Sequence, residues 1–251
     1  MSAPRISLLG TTGLLFEAPG ETSLDVQRRI WSLAREAETW PEVREAVPGL
    51  NNLLVSWRAP PHRPEPVAAR LEVAWNDAVP LVLEGRIVEL PVVYGGEGGP
   101  HMADVVAHTS LSPDEIAALH AAPLYPVYSL GSHPGYCYLG GMDPRIATPR
   151  RKVPVLRIPG GSVSIGGSQT GVSASPGPSG WNTIGSTNMA FFDARRDPPA
   201  LLQPGDSIRF RIAGVLPRSG CSRAARSRRC RTAAAAAPCA GASASREPWT
   251  A

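Results

Sequence analysis

The amino-acid sequence predicts an α+β protein in two parts: a small layer of helices on an antiparallel sheet, then a many-stranded β-barrel or sandwich. Three observations carry this expectation. The 251 residues include 25 Gly and 27 Pro, a proportion that favours turn-rich β structure over a helical bundle. The first 85 residues alternate strand-like and helix-like runs in the order ββαββα. Beyond residue 85, short β runs between Gly/Pro turns take over. The expected parts are therefore 1–85 and 86–213, with 214–251 as a tail of different composition.

Taken in order, Ile6 to Leu9 and Leu14 to Glu17 read as strands around a turn at Gly10–Gly13. Thr22, with Asp25 three residues on, reads as a helix N-cap, and Val26, Ile30, Leu33 and Ala34 follow at helical spacing. Val43 to Val47 and Leu53 to Trp57 flank a Pro-Gly turn and make a second hairpin. The prolines between Pro60 and Pro66 break the pattern before a helix from Val67 to Trp75. Arg86 to Tyr94 is a long β-branched strand. Two helices follow it, the second marked by Ser112 as N-cap, Pro113 at N1 and Glu115 at N3. Strands are then expected at 125–130, 153–158, 162–166, 189–192 and 207–212.

The net charge of +4 invites a nucleic-acid reading, but its distribution removes it. Residues 214–251 hold seven Arg and one acid, which leaves 18 basic and 20 acidic side chains over 1–213, a net of −2. The tail is built from Arg, Ala, Ser, Gly, Cys and Pro without apolar periodicity. That composition suits a disordered extension, coding sequence translated in an alternative frame, or an arm for acidic partners. It lacks the aromatic residues of a base-stacking platform. No run approaches the ~18 apolar residues of a membrane span, and MSAPRISLLG lacks a signal peptide's charged and apolar regions. A cytoplasmic protein without a membrane or nucleic-acid partner is expected. Of four Cys only Cys137 precedes the tail, and no Cys/His spacing suits a structural zinc site, so no metal is expected.

Two Gly-rich stretches, PVVYGGEGGP (91–100) and PGGSVSIGGSQTG (159–171), could bring backbone N–H groups to an anion. Neither has the Lys-Ser/Thr of a P-loop nor the spacing of a dinucleotide fingerprint, so turn scaffolds are the simpler reading. Cys137 with His133, or with His120, offers a nucleophile–base pairing, yet a lone Cys in a strand is expected to be a small buried hydrophobe. Gln169-Thr170 between glycines can orient a substrate amide or carboxylate, or simply hold a turn.

Six ordered motifs are more specific. RIVELPVVYGGEGGP, VVAHTSLSPDEIAALHAAPLYPVYSLG, HPGYCYLGGMDPRIATPRR, GSVSIGGSQTG, GWNTIG and LLQPGDSIRF follow one another with short spacers. Together with RISLLGTTGLLFE and VPGLNNLLV, they resemble the B subunit of the bacterial ATP-dependent 5-oxoprolinases over residues 5–212. That group is also described as allophanate hydrolase subunit 1, as carboxyltransferase subdomains C and D, and includes a sporulation kinase inhibitor. The resemblance implies a small N-terminal α+β domain followed by a cyclophilin-like β-barrel. It implies the 5-oxoprolinase A and C subunits as partners, and the ATP-coupled opening of 5-oxo-L-proline to L-glutamate, with ATP and Mg shared among subunits. Among site residues it implies polar substrate contacts from Gln169 and Thr170, anion attraction from Arg150, and Tyr138 as a wall or hydrogen-bonding phenol. His120 is the general-base candidate.

Other members of the group leave two alternatives, a non-enzymatic histidine-kinase inhibitor and a component of an allophanate or urea carboxyltransferase-type hydrolase. The chain also departs from the family pattern. It has Gly131-Ser132 for Gly-Phe, Ser164 for Gly, Ser173-Ala174 for Tyr-Pro, Ser179 for Gly, Ser186 for Arg or His, and His101 for an acid. Loss of aromatics at 132 and 173 removes either pocket wall or core volume, worth ~3–5 kcal/mol where the side chain is buried.

Overall fold

A computed structural model describes residues 3–61 and 63–217; the expectation for the tail lies almost wholly outside them. Strands β1 (Arg5–Leu9), β2 (Gly13–Glu17), β3 (Val43–Pro48) and β4 (Asn52–Trp57) form an antiparallel sheet in the order β1-β2-β4-β3. Helices α1 (Leu24–Ala37) and α2 (Glu65–Asp77) complete the ββαββα order. Period-two patterning decides the inward face: Leu53, Val55 and Trp57 of β4 are buried, with Leu14 and Phe16 of β2. Ile30, Leu33, Ala34 and Ala37 of α1 and Val67, Leu71 and Trp75 of α2 join them in one core. The N-cap of α1 is Ser23 rather than Thr22. Its extended backbone (φ −143°) lets its hydroxyl accept from the Val26 N–H, so the helix starts one residue later than the spacing suggests.

The second part is a seven-stranded mixed sheet, ordered β10-β9-β12-β5-β13-β6-β7, whose edge strands β7 and β10 approach each other and nearly close a barrel. Its strands are β5 (Ile87–Gly95), β6 (Tyr125–Leu130), β7 (Cys137–Leu139), β9 (Ser162–Gly166), β10 (Gln169–Val172), β12 (Asn182–Ser186) and β13 (Ser207–Leu216). A separate hairpin pairs β8 (Val155–Ile158) with β11 (Gly177–Ser179). Helices α3 (Met102–Thr109) and α4 (Pro113–Ala121) lie between β5 and β6, and α4 opens with the expected Ser112–Glu115 capping box. The long parallel β5–β13 pairing anchors the sheet, and Leu90, Val92, Tyr94, Ile208 and Phe210 are buried along it.

Two expectations meet a different outcome here. β13 runs to Leu216, past the expected strand end at Ile212, because Val215 and Leu216 continue the ladder beside Tyr94 and Gly95 beyond a bulge at Ile212/Gly214. Residues 189–192 form no strand. Phe192 makes a single bridge to Ala200, and Phe191 instead fills the core. The two cores are tied through one carbonyl: Trp31 Nε1 and Gln27 Nε2 both donate to the Tyr128 O, at 2.8 and 3.2 Å. No helix among the described residues is long and apolar enough to cross a membrane.

Candidate functional site

Where β7 and β10 fail to close the barrel, a cleft of about 560 Å³ opens, a size typical of small-molecule sites. Tyr136 and Tyr138 flank Cys137 at i and i+2, so both rings reach the same wall, 5.2 Å apart and nearly perpendicular. Arg150 and Trp181 come from segments laced together by backbone bonds. Arg151 N–H donates to Gly180 O (2.7 Å), Thr148 N–H to Gly167 O (3.1 Å), and Asn182 Nδ2 to Pro149 O (2.9 Å). The Arg150 guanidinium lies 5.5 Å from the Trp181 ring centre.

Two glycines set these walls. A Cβ on Gly166 would stand 2.5 Å from the Trp181 ring, and one on Gly171 would stand 2.8 Å from the Tyr136 hydroxyl. The Gly-rich hairpin between β9 and β10 is thus a bed for aromatic rings. The other Gly-rich turn is filled from within, since Gly98 and Gly99 pack against Ser186 and Ile184.

The cleft's electrostatics are one-sided. Its lining includes Arg150 and His133 and no carboxylate. Two cations close to Arg150 in sequence are already engaged, Arg145 with Asp143 at 2.6 Å and Arg151 with Asp104 at 2.5 Å. A cation with water-exposed donors and no acidic neighbour in the lining attracts anions. Ser132, Ser164, Ser173 and Ser179 also line the cleft, so four of the five serine departures fall in one place. The positions at 132 and 173 are therefore pocket wall rather than core. Ser186 lies elsewhere, beside Gly98. His101 is nearly buried, and its Nδ1 accepts from the Thr183 N–H at 2.9 Å.

Of the residues expected to form the site, the structure brings Tyr138 and Arg150 together in the cleft. Gln169 sits half-buried at the start of β10 and does not line it. Thr170 and His120 lie behind the wall, in the core. Both ring nitrogens of His120 are taken: Nδ1 meets Tyr94 OH at 2.8 Å and Nε2 meets Thr170 Oγ1 at 2.7 Å. Thr170 uses its one hydroxyl proton on the Ser164 O (3.1 Å), so it accepts from His120 Nε2–H, and Tyr94 donates to Nδ1. The chain of donors runs one way and every member is satisfied. Complete burial pushes the His120 pKa down to about 3. This imidazole is a neutral structural group with no face on the cleft. Cys137, likewise buried, has its thiol pushed up to about 12.

Two wall residues carried no site role in the sequence, Tyr136 and Trp181, and His133 entered only as a base for Cys137. The i, i+2 spacing of Tyr136 and Tyr138 was a usable signal; Trp181 read as packing. His133 sits in a tight loop after β6, where Gly131 N–H donates to Tyr136 O and Tyr136 N–H donates to His133 O, both at 3.1 Å. The His133 N–H donates to Gly131 O (2.7 Å), an i→i+2 bond that makes Ser132, at φ +63°, the centre of a positive-φ γ-turn. A serine held there is strained by about 1–3 kcal/mol. His133 Nε2 is shielded from solvent and has no hydrogen-bond partner, which costs about 1–3 kcal/mol more. Desolvation lowers the pKa of this ring, and the ring itself lies 5.1 Å from Tyr136.

Comparison with known proteins follows the same outline. The family described as "Carboxyltransferase domain, subdomain C and D" matches residues 4–202. The 5-oxoprolinase B subunit of Escherichia coli O157:H7 is 44% identical over 210 residues, covering 84% of this chain and 96% of that protein. Its namesake in Haemophilus influenzae is 37% identical, covering 82% and 97%. The crystal structure of TTHA0988 superposes with a TM-score of 0.66 at 33% identity over 80% of this chain, which spans only 39% of that larger one.

Proposed function

The chain belongs to the family of carboxyltransferase subdomains C and D, and from that membership and the cleft we propose that it is the B subunit of a multi-subunit 5-oxoprolinase. In this reading it takes part in opening 5-oxo-L-proline to L-glutamate, coupled to ATP hydrolysis, in the cytoplasm. One observation supports it above the others: the cleft offers a guanidinium and no carboxylate to a small anionic ring.

The substrate suits those walls chemically. Its carboxylate pairs with Arg150, and its flat ring lies against Trp181 and Tyr138. A five-membered lactam is a stable amide, so the reaction requires its carbonyl to be polarised and its carbon made electrophilic. In this reading, phenol and serine hydroxyls along the cleft stabilise charge developing on the ring oxygen. ATP supplies the phosphoryl group that activates the amide oxygen. In this reading the nucleotide and its Mg bind at surfaces shared with the A and C subunits, whose presence activity requires.

The test is ATP-dependent glutamate release from 5-oxoproline by this chain reconstituted with its own A and C partners. Turnover is expected. Arg150→Met should raise KM on the order of tenfold or more, as loss of a charge-assisted contact does, without moving Tm. No turnover under conditions where the Escherichia coli relative supports it, with its own partners, overturns the proposal.

A further inference from the structure

A carboxylate has about four acceptor positions, and a bidentate guanidinium fills two of them. In a cleft lined by one Arg and no acid, a second donor is what separates an acidic lactam from a neutral one of the same ring size. The cleft's hydroxyls are not equivalent in this respect. Ser164 Oγ already meets Thr183 Oγ1 at 3.1 Å, and Ser179 Oγ accepts from the Trp181 N–H at 3.1 Å. Tyr136 differs from both. Its ring is held 5.1 Å from the His133 ring and 5.2 Å from Tyr138, and its backbone N–H and carbonyl are both bonded within the loop. The hydroxyl stands 2.8 Å from where a Cβ on residue 171 would be, so only a glycine there leaves it its place. It has no hydrogen-bond partner among the described residues, yet it is not shielded from solvent as His133 Nε2 is. Burial of the ring raises the phenol pKa above its ordinary range against the pull of the Arg150 guanidinium, whose charge therefore reaches it. The phenol keeps its proton at neutral pH. A fixed, protonated and open hydroxyl beside a guanidinium is a preorganised donor for an anion.

We propose that Tyr136 and Arg150 form a two-pronged subsite for the substrate's carboxylate, and that Tyr136 sets the preference for an acidic lactam over a neutral one. The inference rests on the 5-oxoprolinase reading and deepens it. The guanidinium supplies the charge, and the phenol O–H donates to a lone pair that the guanidinium leaves open. With the carboxylate held from two directions, the ring has one orientation against Trp181 and Tyr138 rather than a free rotation about the Arg150 contact.

The experiment is isothermal titration of the reconstituted three-subunit complex, without ATP, with 5-oxoproline and with 2-pyrrolidinone, the same ring lacking the carboxylate. In Tyr136→Phe the Kd for 5-oxoproline should rise roughly ten- to hundredfold, the loss of a hydrogen bond to a charged group, while 2-pyrrolidinone binding and Tm stay as in the wild type. Gly171→Ala, which puts a methyl 2.8 Å from the phenol oxygen, should also weaken 5-oxoproline selectively. Tyr136→Phe combined with Arg150→Met should cost less than the product of the two single losses, because both groups act on one carboxylate. If the wild type binds and turns over 5-oxoproline but Tyr136→Phe leaves its Kd within twofold, the subsite is wrong and the 5-oxoprolinase reading stands. Equal weakening of both ligands, or single losses that simply multiply, also overturns the subsite, the first by making Tyr136 structural and the second by separating it from the Arg150 contact. If the wild-type complex neither binds nor turns over 5-oxoproline, the 5-oxoprolinase reading falls and this subsite with it.

Discussion

Replacing Thr170 with Val separates a structural role from a substrate contact at the position where the two readings compete. The substitution keeps the side chain's shape and removes only the hydroxyl. That hydroxyl accepts from His120 Nε2 at 2.7 Å and donates to the Ser164 O at 3.1 Å. Valine leaves the buried imidazole N–H without its acceptor. An unsatisfied buried donor costs about 1–3 kcal/mol. At about 2–4 °C per kcal/mol for a domain of 150–250 residues, a central cost of ~2 kcal/mol predicts a Tm lower by about 4–8 °C. Differential scanning fluorimetry at pH 7.5 reads that shift. Glutamate release by the complex at 25 °C should fall only as far as the folded fraction does. If Tm stays within 1 °C while activity is lost, Thr170 touches substrate and the buried network is not its role.

The same network predicts a pH dependence. His120 binds a proton in the unfolded chain near 6.5 but in the fold only near 3, so the unfolded state holds more protons between these values. Stability is therefore full above about pH 6.5 and declines as pH falls, by roughly 1.5–2 kcal/mol at pH 5; His120→Gln should flatten the slope of Tm between pH 7 and 5, and an unchanged slope contradicts the burial argument. Ser132→Phe should not raise Tm. Position 132 faces the cleft at φ +63°, where a bulky side chain adds strain, so the variant should narrow the cleft and weaken binding; a clear gain in Tm would place 132 in the core. Gly166→Ala puts a methyl 2.5 Å from the Trp181 ring and should lower Tm by overpacking worth about 1–3 kcal/mol while raising KM for 5-oxoproline; wild-type values for both would mean the ring moves freely.

Much of the fold was legible because it depends on local rules. The alternation along β4, the capping box of α4 and the turn between β9 and β10 each follow from residues within a few positions of one another. Where strands end was less legible. The extension of β13 to Leu216 depends on Tyr94 and Gly95, more than 120 positions away, and Phe191 leaves the expected strand because the core has a place for it.

The candidate site divides along the same line. Tyr138 and Arg150 were identified from motifs and do meet in one cleft. His120 and Thr170 belong to the same motifs, yet they face the other way. A residue pattern marks which side chains matter without saying whether they matter to a ligand or to the core. His120 illustrates this: one imidazole, bonded at both nitrogens and stripped of water, becomes a fixed neutral strut.

By itself the sequence determined the family, the α+β class, the two-part order of elements and the near-neutral charge of the first 213 residues. These depend on composition, periodicity and ordered motifs, all of them properties of the chain read in line. Only the tertiary structure decided which titratable groups are exposed to a ligand. It buried His120 and Cys137 and collected four serines in one wall with Arg150. Desolvation and hydrogen-bond satisfaction depend on neighbours brought from distant parts of the chain, and no local spacing specifies them.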